Sequence, residues 1–171
     1  MSTDERIVRI VVGVSGSPNS AAALRWAAKE ARLHAAEIWA VHAWSEPMEM
    51  LAPYAPRRGV PSHEQQREAS GALLNAAIKY ALGSKGAGVV VRPTLVEGPL
   101  IPVLLRYAAC ADLLVLGRRL RPSHADGIAL SAVARACLGN TRCPTVLVTG
   151  TDVVGDAEIS SSAGWHLCVG Q

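Results

Sequence analysis

Residues 111–133 read ADLLVLGRRLRPSHADGIALSAV and are the most informative segment of the sequence. A short apolar run ends at Gly117, a loop with three arginines follows, and an apolar helical pattern begins near Ser131. A buried strand that passes through a glycine turn into a helix start is the arrangement with which α/β proteins build phosphate sites. The stretch therefore predicts a strand, a helix and a candidate anion site between them.

Elsewhere the apolar runs alternate with helical patterns, which is typical of a parallel sheet covered by helices. Strands are predicted at 7–14, 37–43, 89–97, 113–116 and 145–149, and helices at 18–35, 63–82, 129–138 and after Gly98-Pro99. The first strand, helix and second strand form a βαβ unit, which requires a parallel, right-handed crossover. The chain as a whole predicts an α/β doubly wound sandwich at residues 1–150, followed by a flexible C-terminal tail at 151–171.

The first two helices carry apolar residues at helical spacing. In the first helix Ser17 is the predicted N-cap and Pro18 the first helical residue. The predicted buried faces are Leu24, Ala27, Ala28 and Ala31 in the first helix, and Ala69, Ala72, Leu73, Ala76 and Tyr80 in the second.

Composition excludes several classes of protein. The chain has 171 residues, half of them hydrophobic, which predicts a substantial core rather than disorder. Its net charge of +3 is too small to indicate a nucleic-acid surface. The four cysteines lack zinc-site spacing and predict reduced, mostly buried thiols. The N-terminal residues do not resemble a signal peptide, and no window reaches the roughly 18 apolar residues of a membrane helix, so a cytoplasmic protein without membrane contact is expected.

Doubly wound sheets bind ligands beyond the carboxyl ends of the strands, at the point where strand order reverses. The first and fourth strands are expected to flank that point. Their ends are Ser15-Gly16-Ser17 and Gly117-Arg118-Arg119. These two junctions are therefore the predicted ligand site.

Five segments in the same order resemble the universal stress protein family. They are IVVGVSGSPNSAAALRWAAKEA, AVHAW, VRPTLVEG, ADLLVLGRR and CPTVLVT, and they span about residues 7–149. The resemblance implies a flavodoxin-like sandwich of five parallel strands in the order 3-2-1-4-5. It also implies ATP or another adenine nucleotide at the switch point, with Mg²⁺ only alongside the nucleotide, and a homodimer formed through the last strand, 145–149. Family members act in stress responses with little catalysis, although slow ATP hydrolysis is compatible with the fold.

The ATP-binding motif of the family is a glycine, two residues, a glycine, nine residues, a glycine and a serine or threonine. Gly117 matches the first glycine, and the second falls on Leu120. Counting forward places Leu130 and Ser131 at the last two positions, whereas counting back from Cys143-Pro144 places Ser131 and Ala132 there, which we prefer. The resemblance also implies that Ser15 replaces an aspartate at the end of the first strand. The candidate nucleotide-binding residues are Gly13, Val14, Ser15, Val41, Gly117, Arg119, Leu120, Ser131, Ala132 and Val133.

The altered motif leaves two functions open. Each hydrogen bond lost to a charged group costs roughly 1.5–3 kcal/mol, so two losses weaken binding by roughly a hundredfold or more. Three arginines in the loop add charge that suits phosphate. The first function is an adenine-nucleotide sensor without strong catalysis. The second is a dimeric interaction protein that has lost nucleotide binding and serves an unknown protein partner. No catalytic residue, metal ligand or nucleic-acid partner is predicted.

Overall fold

The computed structural model describes residues 8–45, 61–83, 88–118 and 130–150. The strands are β1 (Arg9–Gly13), β2 (Glu37–Trp44), β3 (Val90–Glu97), β4 (Leu113–Arg118) and β5 (Thr145–Thr149). The helices are α1 (Pro18–Leu33), α2 (His63–Leu82), α3 (Leu100–Ala108) and α4 (Ala132–Asn140). All strand pairs are parallel, in the order β3-β2-β1-β4-β5. The flavodoxin-like doubly wound sandwich is therefore confirmed.

Strand β1 lies at the centre of the sheet and is covered on both faces. Val12 shares a buried cluster with Leu24 on the face covered by α1 and α2. Val11 shares a second cluster with Leu104 on the face covered by α3 and α4. Both valines are completely buried. Because successive side chains of a strand point to opposite faces, a continuous β-branched run is what a doubly covered central strand requires.

Helix α1 forms as predicted. The Ser17 hydroxyl oxygen accepts a hydrogen bond from the Ser20 amide, and Pro18 occupies the first helical turn. The predicted face is buried throughout. The helix ends at Leu33, two residues before the predicted end, and Ala35 adopts a φ of 49°, which no helix can continue.

Helix α2 has the predicted bounds, but its predicted buried face is wrong. Its N-terminus forms a capping box between Ser62 and Gln65. The buried residues are Leu74 and Ala77, whereas the predicted stripe is largely exposed, with Tyr80 at 71%. Alanines lie on several faces of this helix, so the spacing of apolar residues alone does not show which stripe is buried. The buried stripe is the one that packs against α1, β2 and β3.

Other boundaries differ in ways that bear on the site. Strand β4 runs two residues beyond the predicted Leu116 and includes Gly117 and Arg118, which pair with Val148 and Thr149. Helix α4 starts at Ala132 rather than residue 129 and ends at Asn140, two residues beyond the predicted 138, so it includes Gly139. The predicted tail at 151–171, like residues 119–129, lies outside the described residues.

The described cysteines are partly as predicted. Cys110, Cys137 and Cys143 are free thiols. Cys137 is buried, Cys143 is partly buried and Cys110 is exposed, so one of the three described thiols departs from the expected burial. Burial raises the pKa of both the Cys137 and the Cys143 thiol above the ordinary 9.0. Both are therefore protonated at neutral pH and are poor nucleophiles.

Candidate functional site

The ends of β1 and β4 lie side by side at the carboxyl edge, the edge of the sheet at which all five strands end. Gly13, the last residue of β1, pairs with Leu116 of β4. The chain leaves β1 towards β2 on one side, and β4 lies on the other. This is the switch point, where open α/β sheets leave a crevice for ligands. The structure thus brings the two predicted junctions together.

Gly117 has a packing role that the sequence did not reveal. It is not a turn glycine, since it sits within the β4 ladder and is absent from the described glycines with positive φ. A β-carbon at this position would lie 2.4 Å from the backbone carbonyl of Asn19 and 2.7 Å from the Ser20 amide nitrogen. The first turn of α1 therefore rests directly on the backbone of β4. The turn glycine of the site is Gly16, with a φ of 74°.

Asn19 extends this attachment to the next strand and was missed by the sequence analysis. Its side-chain oxygen accepts a hydrogen bond of 3.2 Å from the amide of Gly150, the residue after β5. The contact joins residues 131 positions apart, so no local pattern could have indicated it. The start of α1 consequently holds the ends of both β4 and β5.

Val14 and Val41 are brought together through their backbones but not through their side chains. The Val14 amide donates to the Val41 carbonyl at 2.8 Å. Their side chains belong to the clusters on opposite faces of the sheet, so they do not form one shared lining. His42, also missed from sequence, lies 2.8 Å from the Val14 carbonyl through Nδ1, which must therefore carry the proton.

Ser15 stands exposed at the end of β1, where the resemblance implied an aspartate. Its hydroxyl lies 2.9 Å from the hydroxyl of Ser17, the α1 N-cap. A hydroxyl offers one donor and carries no charge, whereas a carboxylate accepts several hydrogen bonds. Ser15 can therefore contact a ligand at the crevice but cannot reproduce the charge of the acid it replaces.

Ser131 begins helix α4 as its N-cap. Its hydroxyl oxygen accepts from the Ala134 amide at 3.1 Å, which leaves the hydroxyl hydrogen free to donate. Ala132 is exposed, and Val133 packs against the cluster on the α3 and α4 face. Arg119 and Leu120, the other predicted motif residues, lie outside the described residues.

Arg118 is the residue of this edge that the sequence analysis undervalued, because it was counted only as loop charge. It is the last residue of β4. Its Nε and Nη2 atoms are buried and have no hydrogen-bond partner in the described part of the chain. A buried donor left unpaired costs about 1–3 kcal/mol, and more when it is charged. Such a group in a folded protein calls for an explanation.

The best-formed ionic cluster lies at the opposite, amino edge of the sheet. Glu37 is 7% exposed and accepts hydrogen bonds from Arg92 Nε and Trp39 Nε1, both at 2.7 Å, and from Arg9 Nε at 3.5 Å. The Arg9 guanidinium also stacks 4.1 Å from the Trp39 ring centroid. These groups satisfy one another, which supports a structural role and accounts for Trp39 as a packing residue.

The described residues were also compared with the requirements of a metal site and of a membrane-spanning helix. Across residues 8–45, 61–83, 88–118 and 130–150, no group of three His, Cys, Asp or Glu side chains is placed to hold a metal ion. Among the same residues, none of the helices combines the length and the apolar character needed to cross a bilayer.

Curated proteins resemble this chain in sequence. A universal stress protein of Mycobacterium tuberculosis is 29% identical over 156 residues, covering 90% of this chain and 52% of that protein. The chain thus spans about half the length of the curated relatives it matches.

Solved structures share the fold. UspA from Lactobacillus plantarum has a TM-score of 0.62 at 19% identity, covering 84% of this chain and 98% of that one. A universal stress protein in complex with cAMP has a TM-score of 0.61 at 22% identity, covering 85% and 98%. The Archaeoglobus fulgidus protein in complex with dAMP has a TM-score of 0.56 at 21% identity, covering 83% and 97%. The sequence model of the universal stress protein family matches residues 7–149, most of the chain, and the chain therefore belongs to that family.

Proposed function

We propose that the protein binds an adenine nucleotide at the switch point between β1 and β4 and acts as a regulatory binding protein. The observation that carries this proposal is the switch point at the carboxyl edge, where the turn at Gly16 and the ends of β1 and β4 meet. Helices α1 and α4 both begin at this edge, and helix N-termini favour anions. Family members solved with cAMP and dAMP lend support.

Binding is expected to be weaker than an intact motif would allow. Ser15 supplies no carboxylate, and its hydroxyl is engaged with Ser17. A hydrogen bond that involves a charged group contributes about 1.5–3 kcal/mol, so this exchange alone weakens binding by about tenfold or more. A ligand present at millimolar concentration, such as a cellular nucleotide, still occupies such a site.

The proposal is for binding without strong catalysis. His42 donates its Nδ1 proton to the Val14 carbonyl, so only its Nε2 lone pair is available as a base. A general base must lie within hydrogen-bond reach of the proton that it abstracts, and the proposal assigns His42 no such role. Mg²⁺ is proposed to enter only with the nucleotide. A cytoplasmic location and a role in stress responses stay predictions.

Nitrogen-15 NMR titration with ATP, ADP, AMP and cAMP tests the proposal. Shift changes are expected at the carboxyl edge, at Gly13, Ser15, Gly16 and Gly117. The amides of Arg9 and Asp112, at the amino edge, serve as internal controls and should not move. GTP titrated in parallel controls for the base. No change with any adenine nucleotide up to several millimolar would show that the proposal is wrong.

Restoring the acid should strengthen nucleotide binding. The Ser15→Asp variant is expected to bind adenine nucleotides about tenfold more tightly than the wild type, the gain of one charge-assisted hydrogen bond. Isothermal titration calorimetry measures the change. Ala109→Asp, which adds the same charge at the exposed end of α3 on the amino edge, is the control and should leave the affinity within about twofold, since an exposed charge away from the ligand is screened. Equal gains in both variants would contradict a specific role for position 15.

The second candidate function is a homodimer that docks a protein partner without nucleotide. Strand β5 ends the sheet and pairs only with β4 among the described strands, which leaves its outer edge open. Its apolar residues are all half-buried, and Val146 belongs to neither core cluster, whereas Leu147 and Val148 pack against them. We propose that two copies pair along this edge.

Val146→Lys is expected to convert the dimer into a monomer, because it places a charge in the proposed interface. Light scattering at micromolar concentration measures the change, and circular dichroism should show an intact fold. Val148→Lys is the contrasting variant, since Val148 packs on the core and its replacement should unfold the chain. A Val146→Lys variant that remains dimeric would refute pairing through this strand.

A further inference from the structure

The side chain of Arg118 places at the carboxyl edge a pair of donors without a protein hydrogen-bond partner among the described residues. The buried, unpartnered atoms are Nε and Nη2. These two nitrogens form one edge of the planar guanidinium, and their N–H bonds point the same way. That edge matches two oxygens of a carboxylate or phosphate in a bidentate hydrogen bond. What the protein leaves unsatisfied is therefore a complete oxyanion-binding fork, rather than scattered atoms.

The strand fixes the face of the sheet on which the fork lies. Leu114 and Leu116 belong to the cluster beneath α3 and α4, and Val115 belongs to the opposite cluster. Because side chains alternate along a strand, Arg118 projects to the face of Leu114 and Leu116. It leaves the sheet beside the switch point, one residue after Gly117.

The described surroundings of Arg118 add positive charge and do not supply a negative partner. Helices α3 and α4 cover the same face, run antiparallel to the strands and begin at the carboxyl edge, where their N-termini carry partial positive charge. Glu97, the acid at the end of β3, is 3.1 Å from His63 instead. Arg118 is partly buried, and its buried Nε and Nη2 atoms bond no carboxylate of the described residues. A cation in this state on a face where two helices begin is costly unless an anion joins it.

We propose that Arg118 is the residue that selects a phosphorylated ligand, holding one phosphate group side-on through Nε and Nη2. This inference rests on the proposed adenine-nucleotide site and specifies its ligand as a nucleotide rather than a nucleoside. Arg118 would then provide a phosphate contact that the altered glycine motif provides less well than the intact family motif. In the free protein the unpaired guanidinium lowers the stability of the fold, and phosphate binding would remove this destabilisation.

Two variants separate the fork from the charge. Arg118→Met removes both, whereas Arg118→Lys keeps the positive charge but loses the planar pair of donors. Arg142→Met is the matched control, because Arg142 is exposed at the amino edge of β5 and its loss changes the net charge equally. Thermal unfolding and calorimetry with adenosine, AMP and inorganic phosphate are measured for all four proteins.

The wild type is expected to prefer AMP over adenosine by about tenfold to a hundredfold, the range for hydrogen bonds to a charged group. This ratio should fall close to one in Arg118→Met and by about tenfold in Arg118→Lys, with adenosine affinity and the Arg142→Met ratio unchanged. AMP binding with an undiminished ratio in Arg118→Met would overturn the inference and leave the proposed function standing.

Stability provides the second readout. In chloride buffer without phosphate, Arg118→Met should unfold at the wild-type temperature or above it, since an unpaired charge has been removed. A decrease of more than about 3 °C, the order of shift that losing one hydrogen bond produces in a domain of this size, would mean that the chain itself pairs the guanidinium and would overturn the inference.

Inorganic phosphate distinguishes the two proposals. It is expected to raise the unfolding temperature of the wild type but not of Arg118→Met, at equal ionic strength in chloride. If phosphate acts in this way and no nucleotide binds, the proposed function fails and the fork stands. If neither phosphate nor any nucleotide stabilises the wild type, the fork holds no phosphate and the inference is wrong.

Discussion

Gly117→Ala is expected to destabilise the protein by about 3 kcal/mol, the upper part of the range for overpacked sites. The added methyl would lie 2.4 Å from the Asn19 carbonyl, which is backbone and cannot rotate away as a side chain can. Either the first turn of α1 lifts off β4 or the end of β4 bends. Urea unfolding at neutral pH measures the loss.

Gly139→Ala is the matched control for this substitution. Gly139 lies within α4, and nothing lies within 4 Å of an added β-carbon there. Alanine should stabilise this helix by up to about 1 kcal/mol, because glycine is the poorer helix former. Equal unfolding midpoints for Gly117→Ala and the wild type would show that α1 does not rest on β4 as described. A change in ligand affinity in a Gly117 variant must therefore be separated from the loss of stability that the substitution causes.

Glu37→Ala is expected to cost about 2 kcal/mol at neutral pH, because it leaves the partly buried Trp39 indole without its acceptor and breaks two ion pairs. The indole of Trp39 loses its partner, whereas the guanidiniums of Arg9 and Arg92 are 31% and 58% exposed in their side chains and recover water. That exposure keeps the cost below the range for a fully buried pair. Glu68→Ala, on the exposed side of α2, is the control and should change stability by less than about 0.5 kcal/mol.

The stabilisation from Glu37 should disappear in acid. Hydrogen bonding from Arg92 holds the pKa of Glu37 below its ordinary 4.5 in the folded protein, with Trp39 and Arg9 contributing against the opposing effect of burial. A lowered folded pKa means that the contribution is full above pH 4.5 and is lost as pH falls through the folded pKa. The difference in stability between wild type and Glu37→Ala should thus narrow as the pH falls below 4.5. A difference that grows in acid would contradict this assignment.

The sheet and its switch point could be predicted from sequence because they depend on strong, local patterns. Continuous β-branched runs specify doubly covered strands, and Ser17-Pro18 specifies a helix start. The face of α2 could not be predicted, since alanines surround the helix and only its neighbours decide which stripe is buried. Leu74 and Ala77 are buried because α2 lies against α1 and the outer strands.

The candidate site was predictable in location but not in the roles of its residues. Gly117 matches a ligand-binding motif, yet its lack of a side chain is required by contact with Asn19, almost a hundred residues earlier in the chain. Arg118 looked like loop charge because the sequence pattern ended β4 at Leu116. Its significance depends on strand alternation and on which nitrogens find partners, and both require coordinates.

The anchoring of two strand ends by Asn19 links the two proposed surfaces mechanically. The nucleotide would bind beside the end of β4, and a second copy would bind along β5, whose following amide is held by Asn19. If nucleotide binding or dimerisation displaces the first turn of α1, the contacts of that turn with both β4 and β5 change. Thermodynamic linkage then makes the effect reciprocal: if nucleotide alters dimer affinity by some factor, dimerisation alters nucleotide affinity by the same factor.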